Sequence, residues 1–242
     1  TYPVKAIVKN EKGEEILNEI QILNFTVIKK ADEDFDILNS DGDSEFFADA
    51  YPIYVRLPKN PLERVDWFDG GYYTRMMSKW SDDYLYLLFD VFDWYHENAQ
   101  VGANIWNGDS IQLAIDPLND GGNEYKSDDF EFGFALTDYG KSVFAWKDAV
   151  TNKEEKKPEE WVNIIRDNEN EHTRYMIKIP KAAVAPLSFK TGNVFGMDVL
   201  YNNSNVGTRN DYAAFADAIA HGKFPDKYWD FIFVEDKINF DN

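Results

Sequence analysis

The feature that most constrains this chain is the period of its apolar residues, which is two along most of its length and nowhere sustained at 3.6. Ser110–Asp116 alternates cleanly, with Ile111, Leu113 and Ile115 on one face and Gln112 and Ala114 on the other. Leu85–Phe92 sets Leu85, Leu87, Phe89 and Val91 on one face. In Phe130–Leu136 the three Phe and Leu136 oppose Glu131, Gly133 and Ala135. Val194–Asn202 turns Phe195, Met197, Val199 and Tyr201 inward and Asp198, Leu200 and Asn202 outward. Further strands are expected at Tyr2–Val8, Ile20–Ile28, Tyr51–Leu57, Tyr72–Trp80, Ser142–Trp146, Trp161–Asp167, Thr173–Ile179 and Trp229–Val234, with turns of Gly, Pro, Asn and Asp between them. Strands with one apolar face must bury it against another sheet. The pattern therefore predicts an all-β chain folded as an antiparallel β-sandwich or jelly roll. Residues 1–38 read as N-terminal strands at an edge, or as the tail of a preceding domain, and residues 39–242 as the sandwich.

Composition narrows the partners. The 242 residues carry 44 acidic against 25 basic side chains, a formal charge of −19. That field repels polyanions, so no nucleic acid or anionic membrane surface is expected as a partner, while neutral ligands and divalent cations suit it. With no cysteine, disulfides, thiol nucleophiles and thiolate metal sites are excluded. No run reaches the roughly 18 apolar residues of a membrane span. Thr1 in place of Met reads as the start of a mature or excised fragment.

Aromatic residues make up 16% of the chain, and many stand beside Asp, Asn or Gly instead of in apolar runs: Trp67-Phe68-Asp69-Gly70, Asp93-Trp94-Tyr95, Trp106-Asn107-Gly108. A sugar presents C–H faces that lie on such rings and hydroxyls that reach amides and carboxylates, so this mixture suits a carbohydrate site. Asp93–Gly108 reads as a loop carrying Trp94, Tyr95, His96 and Trp106 to one end of the sheet. If the Ser110 and Phe130 strands pair, Gln112 and Glu131 become two polar handles on a floor of Ala114, Gly133 and Ala135.

Three ordered fragments resemble one family. Asp83-Tyr84-Leu85-Tyr86 through Val91-Phe92-Asp93, then Trp106-Asn107-Gly108-Asp109-Ser110-Ile111-Gln112, resembles the core of family 9 carbohydrate-binding modules. Thr173–Pro180, Gly192–Asn203, and Arg209 followed by Lys223-Phe224-Pro225 resemble that family's later motifs, in order, over about residues 39–235. The resemblance implies a DOMON-like sandwich and a non-catalytic module serving an extracellular or cell-surface polysaccharide-degrading enzyme. It would bind poly- or oligosaccharide beside other domains of that enzyme. It places Trp106 on one of two clamp tryptophans, Gln112 on a sugar-contacting glutamate and Glu131 near another polar contact. Asn202 and Arg209 fall in the matching later fragments. The second clamp tryptophan is replaced by Ala220-His221-Gly222-Lys223, and a sugar-contacting arginine by Gly133, so Trp94, Tyr95, His221 or Trp161 would have to supply the other ring. The family's structural calcium, together with the acidic turns, makes Asp41, Asp43, Asp116 and Asp138 candidate ligands.

Two other classes stand beside this one. A structural accessory sandwich would need no ligand. A haem-binding DOMON-like domain would draw axial ligands from Met76 or Met77 with His172 or Lys223, but Met76 and Met77 point to opposite faces, so haem is not expected. A hydrolase needs two placed carboxylates; with 44 acids such pairs arise by chance, and no nucleophile motif is present.

Overall fold

In a computed structural model of the chain, strands form at the places where the period of two predicts them. The structure describes residues 2–9, 15–23, 26–42, 45–55, 72–148 and 157–235. Asp43 and the Trp67–Phe68 pair lie outside these residues. The strands are β1 (Tyr2–Lys9), β2 (Glu15–Leu23), β3 (Thr26–Lys30), β4 (Ile53–Val55), β5 (Tyr72–Trp80), β6 (Tyr84–Asp93) and β7 (Ser110–Asp116). They continue with β8 (Phe130–Thr137), β9 (Gly140–Lys147), β10 (Val162–Asp167), β11 (His172–Pro180), β12 (Val194–Ser204), β13 (Arg209–Ala214) and β14 (Trp229–Val234). Among the described residues the only helical pieces are 3-10 turns.

β1 and β2 pair with each other as an antiparallel hairpin. All other strands share one sheet in the order β10-β11-β6-β5-β3-β14-β12-β7-β8-β9, with β4 on β5 and β13 on β12. The sheet folds over on itself into two layers. Its ends nearly meet where Lys141 Nζ on β9 donates to the Val162 carbonyl on β10 at 2.7 Å and Trp161 packs edge-on against Phe132 at 5.8 Å. Between the layers lie the residues that alternation turned inward: Leu85, Leu87, Phe89 and Val91 of β6, the β7 isoleucines and Leu113, the β8 phenylalanines, and Phe195, Met197, Val199 and Tyr201 of β12, all fully buried. The architecture is the all-β sandwich expected.

Three local expectations change. The run Ile20–Ile28 is two strands, and its second half, β3, is not at an edge. It lies between β14 and β5 and pairs in parallel with both, in a sheet otherwise antiparallel. Arg209–Ala214, which is not among the strands expected from the sequence, is a strand paired with β12. The Asp93–Gly108 loop contains a 3-10 turn, Gly102–Asn107.

Candidate functional site

Outward residues of β7, β8, β12 and β13 meet side by side because the register puts Gln112 opposite Gly133 and Leu200, and Asn202 opposite Ser110 and Tyr212. They form one continuous chain of hydrogen bonds. Arg209 Nη1 donates to Asn202 Oδ1 at 3.0 Å, Asn202 Nδ2 to Gln112 Oε1 at 3.1 Å and Gln112 Nε2 to Glu131 Oε1 at 2.8 Å. Glu131 is fully buried, and its charge is met by Lys223 Nζ on one oxygen and the Tyr125 hydroxyl at 2.8 Å on the other. The floor is thus a satisfied polar network, as burial requires.

Trp106 stands over one end of this chain. The Arg209 guanidinium lies 4.8 Å from its ring centroid and 5.5 Å from that of Tyr212, so cation and rings form a half-buried rim. The Tyr212 hydroxyl in turn reaches His221 Nδ1 and Asp217, which pair with each other. On the other side Trp146 crosses Gly133: a Cβ there would come within 2.4 Å of the indole, so only glycine admits the ring. Trp146 Nε1 donates to the Ala103 carbonyl at 3.1 Å, tying β9 to the turn that carries Trp106.

That turn is pinned from beneath. Asn98 Nδ2 donates to the carbonyls of Ile105 and Asp109 at 3.0 Å each. Asp109, fully buried, accepts from the backbone N–H of Glu97 and, at 2.7 Å, from that of Ser204 on β12. The Tyr201 hydroxyl sits between two carboxylates, 2.7 Å from Asp93 Oδ2 and 3.3 Å from Asp109 Oδ1. Burial, and then repulsion by Asp93, push the Asp109 carboxyl up to about 8.

Of the predicted site residues, the fold brings Trp106, Gln112, Glu131, Asn202, Arg209 and His221 to this face. Trp94 and Tyr95 do not join them. Trp94 packs edge-on against Phe92 on the outer face of the opposite layer, and the Tyr95 side chain is two-thirds exposed. Trp161 is a core ring. Tyr125, Trp146, Tyr212 and Lys223 are additions that the strand patterns alone did not single out as site residues. Met76 is in the core, whereas His172 lies on the outer face with its Nδ1 2.7 Å from Asp90, so these two do not face each other as an axial pair.

The acidic candidates regroup as well. Carboxylate oxygens of Asp116, Asp120 and Asp128 lie within 4.8 Å of one another, and Oδ2 of Asp128 and Oδ1 of neighbouring Asp129 are buried without a hydrogen-bond partner. The positive φ of Gly121 folds the chain back so that its N–H donates to Asp116 Oδ2 at 2.9 Å. Converging carboxylates with orphaned oxygens are a donor set that suits a hard divalent cation. Asp41 and Asp138 are exposed and stand elsewhere, Asp41 with its carbonyl on Arg174 and Asp138 with its N–H on the Asn98 carbonyl.

The family model described as "Carbohydrate family 9 binding domain-like" matches residues 59–229. The chain belongs to that family. Among solved structures, this family 9 chain is similar to a family 9 module from Caldicellulosiruptor kristjanssonii in complex with cellotriose. The two share 14% identity over 90% of this chain and 97% of that one, with a TM-score of 0.63. A family 9 module from the same organism in complex with glucose gives 13% identity, 90% and 100% coverage and the same TM-score. At such identities the likeness shows the fold. No curated protein matches the chain. In this family 9 chain, half of the expected clamp is absent by sequence, and the face instead has Arg209 laid on Trp106 and Trp146 laid on Gly133.

Proposed function

We propose that this is a non-catalytic carbohydrate-binding module, secreted or at the cell surface as part of or accessory to a polysaccharide-degrading enzyme, which seats a sugar ring at Trp106. The observation that carries the proposal is the continuity from an aromatic rim to a polar floor: Trp106, Arg209, Asn202, Gln112 and Glu131 form one connected array on one face. Ring and amides are the two halves of sugar recognition. The family membership supports it, and similar modules were solved with cellotriose and glucose.

Shallow contact on one principal ring supports a dissociation constant on the order of 10 μM to 1 mM. Trp106→Ala should remove retention on a glucan affinity gel. Because Trp106 is only half-buried, the melting temperature should fall by no more than a few degrees, about 1 kcal/mol of lost ring contact. Undiminished retention with a collapsed melting temperature would make Trp106 a structural ring. No retention of the wild-type chain on any glucan would favour the structural accessory domain.

Calcium is proposed at Asp116, Asp120 and Asp128, where it would fix the loop that presents Tyr125 to Glu131. At a hundredfold excess over its dissociation constant, a native-state ion adds about 2.7 kcal/mol, or roughly 5–10 °C for a chain of this length. Calorimetry with calcium against EDTA should show that rise, and Asp128→Asn should blunt it. Identical melting curves with and without calcium would remove the ion from the proposal.

A further inference from the structure

Among the described residues, Arg209 is a cation without a carboxylate partner in a chain of charge −19, whereas Arg75 pairs with Asp90 and Lys223 with Glu131. Lys178, over Tyr84 and Tyr86, and Lys141 also lack one, but each places its ammonium on a backbone carbonyl away from this face. Arg166, also partly buried, spends its donors on Asn168, Thr173 and the Asp93 carbonyl. A guanidinium has five N–H donors. That of Arg209 places one on Asn202 and makes no other hydrogen bond to the described residues, its remaining nitrogens being open to solvent and to a ligand. Burial makes its charge more costly and depresses its pKa. An acidic protein has therefore kept a half-buried cation with no carboxylate partner among the described residues, against two aromatic rings, on the face where the sugar is proposed to sit.

We infer that the saccharide taken here carries one carboxylate, a uronic acid residue in an otherwise neutral oligosaccharide, and that Arg209 selects it; this rests on the carbohydrate reading of the face. A carboxylate matches the guanidinium fork with two parallel charge-assisted bonds, which a hydroxyl cannot do. Trp106 and Tyr212 beside it accept the C–H face of the same ring. One carboxylate is specified, not many, because the field of −19 opposes a polyanion. A single pair formed in contact is screened far less than that long-range repulsion at physiological salt.

The test is titration calorimetry of the whole chain with cellobiose and with its glucuronic-acid-terminated counterpart at 50 mM and 500 mM salt. Exchanging a neutral for a charge-assisted contact predicts about tenfold tighter binding of the uronate, an advantage kept or widened at high salt, where the long-range repulsion is screened first. Arg209→Gln should bring the ratio of the two affinities to about one, and Arg209→Lys, which keeps charge but not the fork, should leave part of it. Melting curves on both variants verify folding. Equal or tighter binding of cellobiose by the wild type would overturn the inference and leave the carbohydrate reading standing. Binding of neither sugar would overturn both. A uronate advantage that survives in Arg209→Gln would assign selection to another group and also overturn it.

Discussion

Lys223→Met should cost the fold about 3 kcal/mol, a fall of roughly 6–12 °C in melting temperature for a chain of this size. Glu131 is fully buried on β8 and carries its charge between Gln112, Tyr125 and Lys223. Only Lys223 brings a compensating charge. Removing it leaves a carboxylate in a water-poor site with two neutral donors, and the cost is the stranded ion more than the lost contact. The low end of the usual range applies because the Lys223 side chain is 39% exposed and water partly replaces it. Glu131→Gln in the same background should recover most of the loss: the amide still accepts from Gln112, and the Tyr125 hydroxyl can turn to accept from it. Denaturant melts of the single and double variants decide the matter. If the single variant melts with the wild type, the pair is dispensable and the floor is not held by charge.

The stability of the chain should also fall as pH rises from 6.5 to 8.5. In the native state Asp109 is pushed up to about 8 by burial and by Asp93, and Asp198, whose oxygens accept the N–H groups of Val199, Ala216 and Ile219, is pushed up to about 7 by burial. Unfolded, both titrate near 4. Across that window the native state therefore holds protons that the unfolded chain has released, so each step up in pH favours unfolding. The groups facing Asp109 are Asp93, His96 and Tyr201. His96 works the other way: burial lowers its pKa, so its contribution grows with pH and is complete above about 6.5. Starting at 6.5 separates the two. For Asp109 alone, some 1.5 pH units below its native pKa amount to about 2 kcal/mol, or roughly 4–8 °C. Asp109→Asn should flatten the slope. A melting temperature that rises over this range would show that the carboxyl is ionised in the native state at pH 6.5.

Much of the fold was legible because the signal is local. A period of two in Ser110–Asp116 or Val194–Asn202 states which side chains share a face whatever the strand pairs with, and the structure buries those very residues. The motif around Trp106, Asp109 and Gln112 carried the family for the same reason: it is contiguous. Lys223 and Arg209 were visible as members of later motifs, but their partners were not. The Asp109 carboxylate stood in a recognisable motif with no role attached, since Ser204, Tyr201 and Asp93 reach it only through strand order.

What the amino-acid sequence determined by itself is the strand content, the inward and outward sets, the acidity and the absence of thiol chemistry. The tertiary structure alone decided that β3 enters the sheet between β5 and β14, that Trp94 ends on the far layer from Trp106, and that Trp146 fills the space above Gly133. It also decided that Asp116 finds Asp120 and Asp128, and not Asp41 or Asp138. The physical reason is one of range. Alternation is set by the dihedrals of successive residues. Which acids converge in the β7–β8 loop, and which ring covers Gly133 across the β8–β9 hairpin, depends on loop path and bulged register. The order of strands as distant as β3 and β14, about two hundred residues apart, is settled by burying all of their apolar faces at once.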